Sequence, residues 1–523
     1  MTVKRQAAHR KPSRLVAMAR TGVLILPFLA VVAAYLGVPA VWQWAHAETL
    51  SNRAHPVIVD QIDTPPQPVD PNLVASLRRA PTSPQSSPLI LTYHDIGYNS
   101  ATRYTVTPEA FAAQMRLLHD AGWTTITADQ LSGWLRGEPL PAHSVMVSFD
   151  DGARGVWRYA DPVLERYGQH AVAYLITGFV GTHAPYYMTW PEIAALHASG
   201  RWDLEAHTHL GHQHVPTDAV GGEGPFLTHL EYLADQKRVE TQQEYHSRVF
   251  TDLVECRRQF SAHDLPEPTL FAYPFSAHND DPNGTGMLKG VVGSLYQAAM
   301  LDVPDKISTT ASSDVQDGNI ARMDVMSDLG LAKWTEKLVE ASPLDPTAAK
   351  PIADPTNWTD SGDRPAPLTL DGDGRAVLDP GPRAQITRQY APYRTSMWNA
   401  YTVSADLGGF SSAGDGTTTG LSVLTGDPQH EVDIEISSAE YSIRRGYGQE
   451  EAVAAGHLVE AAAHHVEAVV RPENVTVTID GGSPQVVPLN SAGPRQIGGG
   501  IGLIGDREFD ASPTPVVSGL AVY

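Results

Sequence analysis

From Leu89 to about Leu338, short apolar runs alternate with segments of helical periodicity, and this alternation constrains the fold more than any other feature of the chain. Leu89–Tyr93, Val145–Phe149, Ala171–Ile176 and Trp202–Ala206 read as buried strands, and Trp123–Ile126 as a further strand. Between them, Thr107 and Pro108 are the N-cap and first position of a helix that carries Phe111, Met115 and Leu118 on one face. Ala128–Leu135, Tyr159–Tyr167 and Pro191–Ala198 continue the helical series, and Glu244–Phe260 is helix-like. Repeating βα units demand a parallel sheet, open or closed as a barrel.

The flanks of this unit read differently. Residues 1–47 hold six Lys or Arg and no acid, and Gly22–Trp42 is apolar and about long enough to cross ~30 Å of hydrocarbon. The basic flank keeps that end in the cytoplasm and places the rest outside the cell, as a single-pass membrane protein. Ala45-His46-Ala47 is the rival reading, a signal-peptidase site that releases a secreted chain. Residues 48–88 carry Pro56, Pro65, Pro66, Pro68, Pro71, Pro81, Pro84 and Pro88 and are expected to be an extended spacer. The βα unit is taken as 89–340. A second Pro-rich linker spans 341–366. From 367 to 523 the period falls to two, as in Glu431–Ile436 and much of His465–Ile479, with Asp480-Gly481-Gly482 as a turn. An antiparallel β-sandwich is expected there.

The net charge is −22, which leaves −28 on residues 48–523. So acidic a chain is a poor partner for nucleic acid, and suits a neutral or amine-bearing substrate. The one cysteine, Cys256, excludes an intrachain disulfide and any cysteine zinc site, and reads as a packed bystander.

Four features carry chemistry. Ser148-Phe149-Asp150-Asp151-Gly152 places two acids at the end of a buried strand, where the active sites of barrels and open α/β sheets lie; a strand-ending Asp-Gly turn has the same local sequence. Glu205-Ala206-His207-Thr208-His209-Leu210-Gly211-His212-Gln213-His214 packs four histidines into eight residues after another strand. Imidazoles are good ligands for zinc, and one carboxylate with two histidines leaves positions open for water and substrate. Tyr93-His94-Asp95 follows the first strand, and Phe271-Ala272-Tyr273-Pro274-Phe275-Ser276 ends a later one. A Gly-x-Ser-x-Gly nucleophile elbow is absent from the sequence.

Taken in this order, Leu91–Asp95, Ser148–Gly152, His207-Thr208 with His212, and Tyr273-Pro274-Phe275 resemble the polysaccharide deacetylase family, carbohydrate esterase family four, over roughly 89–340. The five-residue step from His207 to His212 and the early Tyr93-His94 are similar to its poly-N-acetylglucosamine deacetylase branch. The resemblance implies a distorted (β/α) barrel of about seven strands. It implies Asp150 as general base, His94 as general acid, and Asp151, His207 and His212 as ligands of a divalent ion, zinc first, with cobalt, nickel or manganese as alternatives. It also implies Tyr273, Pro274 and Phe275 as substrate-binding residues. Many members carry Arg where Ala272 stands, to steady the base; Arg322, in Ala321–Val325, is the residue available to replace it and is grouped with the substrate-binding set. His209 and His214 repeat the ligand spacing, so a shifted pair stays open.

The expected function is metal-dependent removal of N-acetyl groups from a cell-surface or extracellular N-acetylglucosamine polysaccharide of the poly-β-1,6-linked kind. Peptidoglycan, chitin and O-acetylated xylan are alternative substrates. A non-catalytic glycan-binding surface protein is the alternative from another class, with Ala272 as the one feature in its favour. The C-terminal region loosely resembles concanavalin-like or laminin-G-like sandwiches. Its Trp398, Tyr401, Tyr441 and Tyr447 are candidates for stacking on sugars, although core packing is the commoner fate of such aromatics.

Overall fold

The computed structural model describes residues 58–81, 88–99, 101–136, 138–278, 286–303, 319–360, 364–396, 398, 400–427, 430–446, 452–489 and 498–523. Its first unit contains parallel strands β1 (Leu89–Tyr93), β2 (Thr124–Thr125), β3 (Ser144–Phe149), β4 (Ala171–Leu175), β5 (Trp202–Ala206), β6 (Leu270–Ala272), β7 (Ala298–Val303) and β8 (Asn319–Asp324). β1 pairs with both β3 and β8, so all of these except β2 close into a seven-stranded barrel in chain order. β2 lies outside the ring, on the starting end of β3. The strand expected over Trp123–Ile126 shrinks to those two residues because Thr127 at once caps the next helix.

Alternation along the strands sorts side chains between two cores. Ile90, Met146, Val172, Leu270, Ala298 and Ile320 pack together inside the barrel. Their neighbours Leu91, Val147, Ala173, Phe271, Ala299 and Met323 face the surrounding helices instead. Helix α3 (Ala128–Leu135) adds Leu131 and Trp134 to the inner group and plugs the end where the strands begin. Toward the other end the inward positions turn from apolar to polar: Ile90, Thr92, His94 along β1; Met146, Ser148, Asp150 along β3; Met300, Asp302 along β7; Ile320, Arg322, Asp324 along β8. The polar ends meet at the mouth, where sites of parallel barrels lie.

The outer layer holds α2 (Pro108–Ala121, capped by Thr107), α4 (Asp161–Tyr167), α5 (Trp190–Ala198), α6 (Gln242–Ala262), α7 (Met287–Leu295) and α8 (Leu331–Ala341). Cys256 is buried on α6. Among the described residues of the Pro-rich stretch, 58–81, one segment departs from the expected extended form. Residues 71–78 are a helix, α1, started by Asp70 and Pro71, and its Leu77 is fully buried in the barrel's outer core. Backbone bonds from Ile62 to Arg158 and side-chain bonds from Arg116 to Gln67 and Trp123 to Leu77 strap the segment down. Proline here serves as a helix start rather than a spacer residue.

The C-terminal region forms two seven-stranded antiparallel sheets. Leu421, Ile434, Ile436 and Leu503 of one and Val403, Leu407, Val466, Ala468 and Val477 of the other share a single core. Asp480 and Gly481 both have positive φ, as the expected turn requires. The stretch read as a second linker is also packed: Leu344, Ala349 and Trp358 belong to this core. Trp398 and Tyr401 are buried, donating to the carbonyls of Leu344 and Gly500, so they are core aromatics. The N-terminal apolar segment, the cleavage site and Tyr447 lie outside the described residues. Among the described residues, no helix is long and apolar enough to cross a membrane.

Candidate metal centre and catalytic carboxylate

Asp150 and Asp151 leave the end of β3 in different directions. The amide of Asp150 donates to the carbonyl of Tyr93 (2.9 Å), which continues the β1–β3 ladder and sends its side chain into the barrel. Asp151 has φ of 69°, and Gly152 after it is left-handed too. This turn swings the Asp151 carboxylate toward the histidine segment that follows β5.

Asp151 Oδ1 lies 3.5 Å from Nε2 of both His207 and His212. The Nδ1 of His207 is engaged by the carbonyl of Ala272 at 2.8 Å, so its Nε2 is the atom that faces Asp151. Asp151 Oδ1 is buried and has no hydrogen-bond partner. A buried carboxylate oxygen without a donor, aimed at two imidazole nitrogens, fits a divalent cation. Burial pushes the Asp151 carboxyl up, but the neighbouring imidazoles, His207 foremost, outweigh it and hold the group well below its ordinary range. Burial, then neighbouring His207, lowers His212 to about 4, which keeps it a neutral donor. The shifted pair does not converge here. His209 Nδ1 bonds the Thr177 hydroxyl (3.0 Å), and His214 packs on Phe275 with ring centres 4.8 Å apart.

Asp150 sits beside this group without sharing its ligands. Arg322 donates from Nη1 to Oδ1 (2.8 Å) and from Nη2 to Oδ2 (2.7 Å), a bidentate pair buried on both sides. The same Nη2 is 2.7 Å from Asp302 Oδ1, and the Tyr174 ring lies beneath the guanidinium at 5.0 Å. Burial raises the Asp150 carboxyl, while Arg322 chiefly, then His207, brings it net below the usual range. Arg322 is only 1% exposed, so it offers no surface to a substrate and is corrected from that grouping. Its position explains how the chain manages with Ala272: the guanidinium arrives from β8 rather than β6.

His94 groups with Asp302 and Asp324, ligand atoms of all three lying within 4.8 Å of one another. Burial, and Asp302 beside it, push Asp324 up to about 7. The two acids escaped the sequence reading as site residues. Their signal was the inward alternation of β7 and β8, which needs the strand register to be read. Of Tyr273, Pro274 and Phe275, the first two are buried, because Tyr273 follows Phe271 onto the outer face of β6. Phe275 alone stands at the mouth, 48% exposed, its ring 4.5 Å from that of His212. Tyr104, also exposed, lies 4.6 Å from the His94 ring on the other side.

The arrangement therefore offers a cation cradle, an adjacent anionic carboxylate and an imidazole, all at one mouth. This is the equipment of hydrolysis by an activated water.

Comparison with known proteins agrees with the geometry. The sequence model for polysaccharide deacetylases matches residues 137–286. A poly-β-1,6-N-acetyl-D-glucosamine N-deacetylase of Escherichia coli strain K12 is 24% identical over 212 residues, covering 38% of this chain and 32% of that protein. The chain thus spans about a third of that relative's length. The enzyme of the same name from Staphylococcus epidermidis is 24% identical over 216 residues, covering 38% of this chain and 68% of that one. Among solved structures, the BpsB deacetylase domain of Bordetella bronchiseptica aligns with 21% identity over 47% of this chain and 97% of its own, with a TM-score of 0.38. Over residues 137–286, within the barrel that carries these residues, the chain is similar to the polysaccharide deacetylase family.

Proposed function

We propose that this chain is a metal-dependent hydrolase that removes N-acetyl groups from a poly-β-1,6-N-acetylglucosamine-like polysaccharide. The observation that carries the reading is the orphaned Asp151 oxygen facing His207 and His212, with Asp150 beside it and bound to none of them. The names of the relatives support the substrate class.

Asp151, His207 and His212 would hold the divalent ion, zinc first among the candidates. When bound, it supplies Lewis acidity to the acetyl carbonyl and to water. Asp150 takes the proton of the attacking water, and its low pKa keeps it ionised for that role across the neutral range. Arg322 fixes the plane of the carboxylate and stays charged throughout. His94, grouped with Asp302 and Asp324, delivers a proton to the departing amine. Acetate and a glucosamine unit result. Phe275 and Tyr104 flank the mouth as faces on which sugar rings stack. The bidentate Arg322 pair removes the argument for a non-catalytic protein that Ala272 had raised.

Outside the barrel, residues 22–42 are proposed to hold the chain at a membrane with its barrel outside the cytoplasm. The C-terminal sheets are proposed as a concanavalin-like or laminin-G-like glycan-binding sandwich. The test of substrate class is acetate release by the zinc-loaded chain from β-1,6-linked N-acetylglucosamine oligomers, chitin oligomers, peptidoglycan and acetylated xylan. The reading requires the β-1,6-linked oligomer to be deacetylated fastest. Release from xylan or peptidoglycan alone would reassign the substrate.

A further inference from the structure

The histidine segment is held in a conformation that its own backbone does not favour. Thr208, directly after His207, has φ of 72°. A β-branched residue there is a true outlier and carries backbone strain. Its hydroxyl is buried and unpartnered, so no side-chain bond of its own compensates. The segment must be restrained from outside.

Two restraints come from the turn after β4. The amide of Thr177 donates to the carbonyl of Thr208 (3.1 Å), and that of Gly178 to the carbonyl of His209 (2.9 Å). The third comes from Asp252 on α6, distant in sequence and buried. Its Oδ2 accepts from the amide of His209 (3.0 Å), and its Oδ1 from the amide of Leu210 (2.7 Å). Gly211 completes the fit: a Cβ there would lie 3.1 Å from Asp252 Oδ2, 3.1 Å from Phe226 and 3.2 Å from Thr208 Cγ2. One turn further along α6, Cys256 lies against the Thr177 hydroxyl and the backbone of His207. α6 is thus a back-plate for the segment that joins the two histidines.

We propose that Asp252 is a positioning residue, a two-point clamp that keeps His207 and His212 converged on Asp151 before any cation arrives. The inference deepens the function proposed above and rests on its assignment of the cation cradle. A carboxylate that accepts two consecutive amides fixes the intervening peptide plane. It therefore fixes where the chain re-emerges at Gly211 and His212. Without it, relief of strain at Thr208 lets His212 drift, and the cradle loses a ligand rather than the fold.

Asp252→Asn is the closest test, since the amide keeps one acceptor but sets a donor against the second backbone N–H. Zinc affinity of the metal-free full chain is read by competition with a chromogenic chelator, alongside its thermal midpoint without metal. The expected result is zinc binding weakened about 10- to 100-fold, the usual effect of losing an outer partner of a ligand. Gly211→Ala attacks the same contact from the loop side and should weaken zinc binding in the same direction. It decides the matter by the same criterion should D252N fail to fold. Zinc affinity within twofold of wild type, even with a lowered midpoint, overturns the clamp, because Asp252 then braces only the fold. A wild-type chain that binds no zinc overturns the cradle itself, and the clamp with it.

Discussion

Arg322 is the residue on which the electrostatics of the mouth turn. It neutralises Asp150 and touches Asp302 from a wholly buried position. Removing one partner of a buried pair leaves an uncompensated charge, so Arg322→Met should cost about 3–5 kcal/mol of unfolding free energy in a denaturant titration. The rate should respond too. Asp150 acts as an anion, so loss of the guanidinium leaves burial to dominate and raises its pKa. The acid limb of kcat/KM then moves to higher pH; an unmoved limb would show that Arg322 does not tune the base. Glu205, lower in the barrel, shows the opposite sign. Burial raises its carboxyl to about 8, although Oε2 accepts from the amides of Thr269 and Leu270. The folded chain holds that proton more tightly than the unfolded one, so stability from this group is complete below about 4.5 and is lost as pH rises to about 8. Glu205→Gln keeps an oxygen for both amides and should flatten the thermal midpoint across that window.

Among the elements, α1 shows where composition misleads. Eight prolines in 48–88 describe a spacer, yet Asp70 and Pro71 start a helix whose Leu77 is sealed against the barrel. Leu77→Ala should cost about 2–5 kcal/mol by chemical denaturation, whereas a true spacer would tolerate it without change. The barrel strands were legible because their apolar runs are continuous and regularly spaced. Asp150, Asp151, His207 and His212 were legible for the same reason: each follows directly on such a run. Asp302 and Asp324 were not, because they face inward on strands whose register only the closed ring reveals. Arg322 was legible as the residue available to replace the missing Arg beside the base, but the route by which it gets there was not. A side chain that reaches Asp150 across β1, from a strand far along the chain, leaves no local pattern. Tyr273 and Pro274 were assigned to the substrate as a motif, whereas the strand's alternation buries Tyr273 and leaves only Phe275 at the mouth.

At the scale of the molecule, a basic, apolar N-terminus precedes a barrel and a pair of antiparallel sheets, with a strongly acidic net charge on the remainder. N-terminal sequencing of the protein recovered from cells should give a start before Gly22 if the apolar segment is a retained anchor; a start at Glu48 would assign it as a cleaved signal. The central claim is that a cation gripped by Asp151, His207 and His212 works beside a base that does not bind it, Asp150. Acetate release from a β-1,6-linked N-acetylglucosamine oligomer tests this most directly, measured on the zinc-loaded chain, the chelator-treated chain and Asp150→Asn. The account predicts that the chelator abolishes release, that zinc restores it, and that D150N keeps its zinc while slowing by about 10²- to 10⁴-fold. Release indifferent to the chelator, or a D150N chain as fast as wild type, would contradict it.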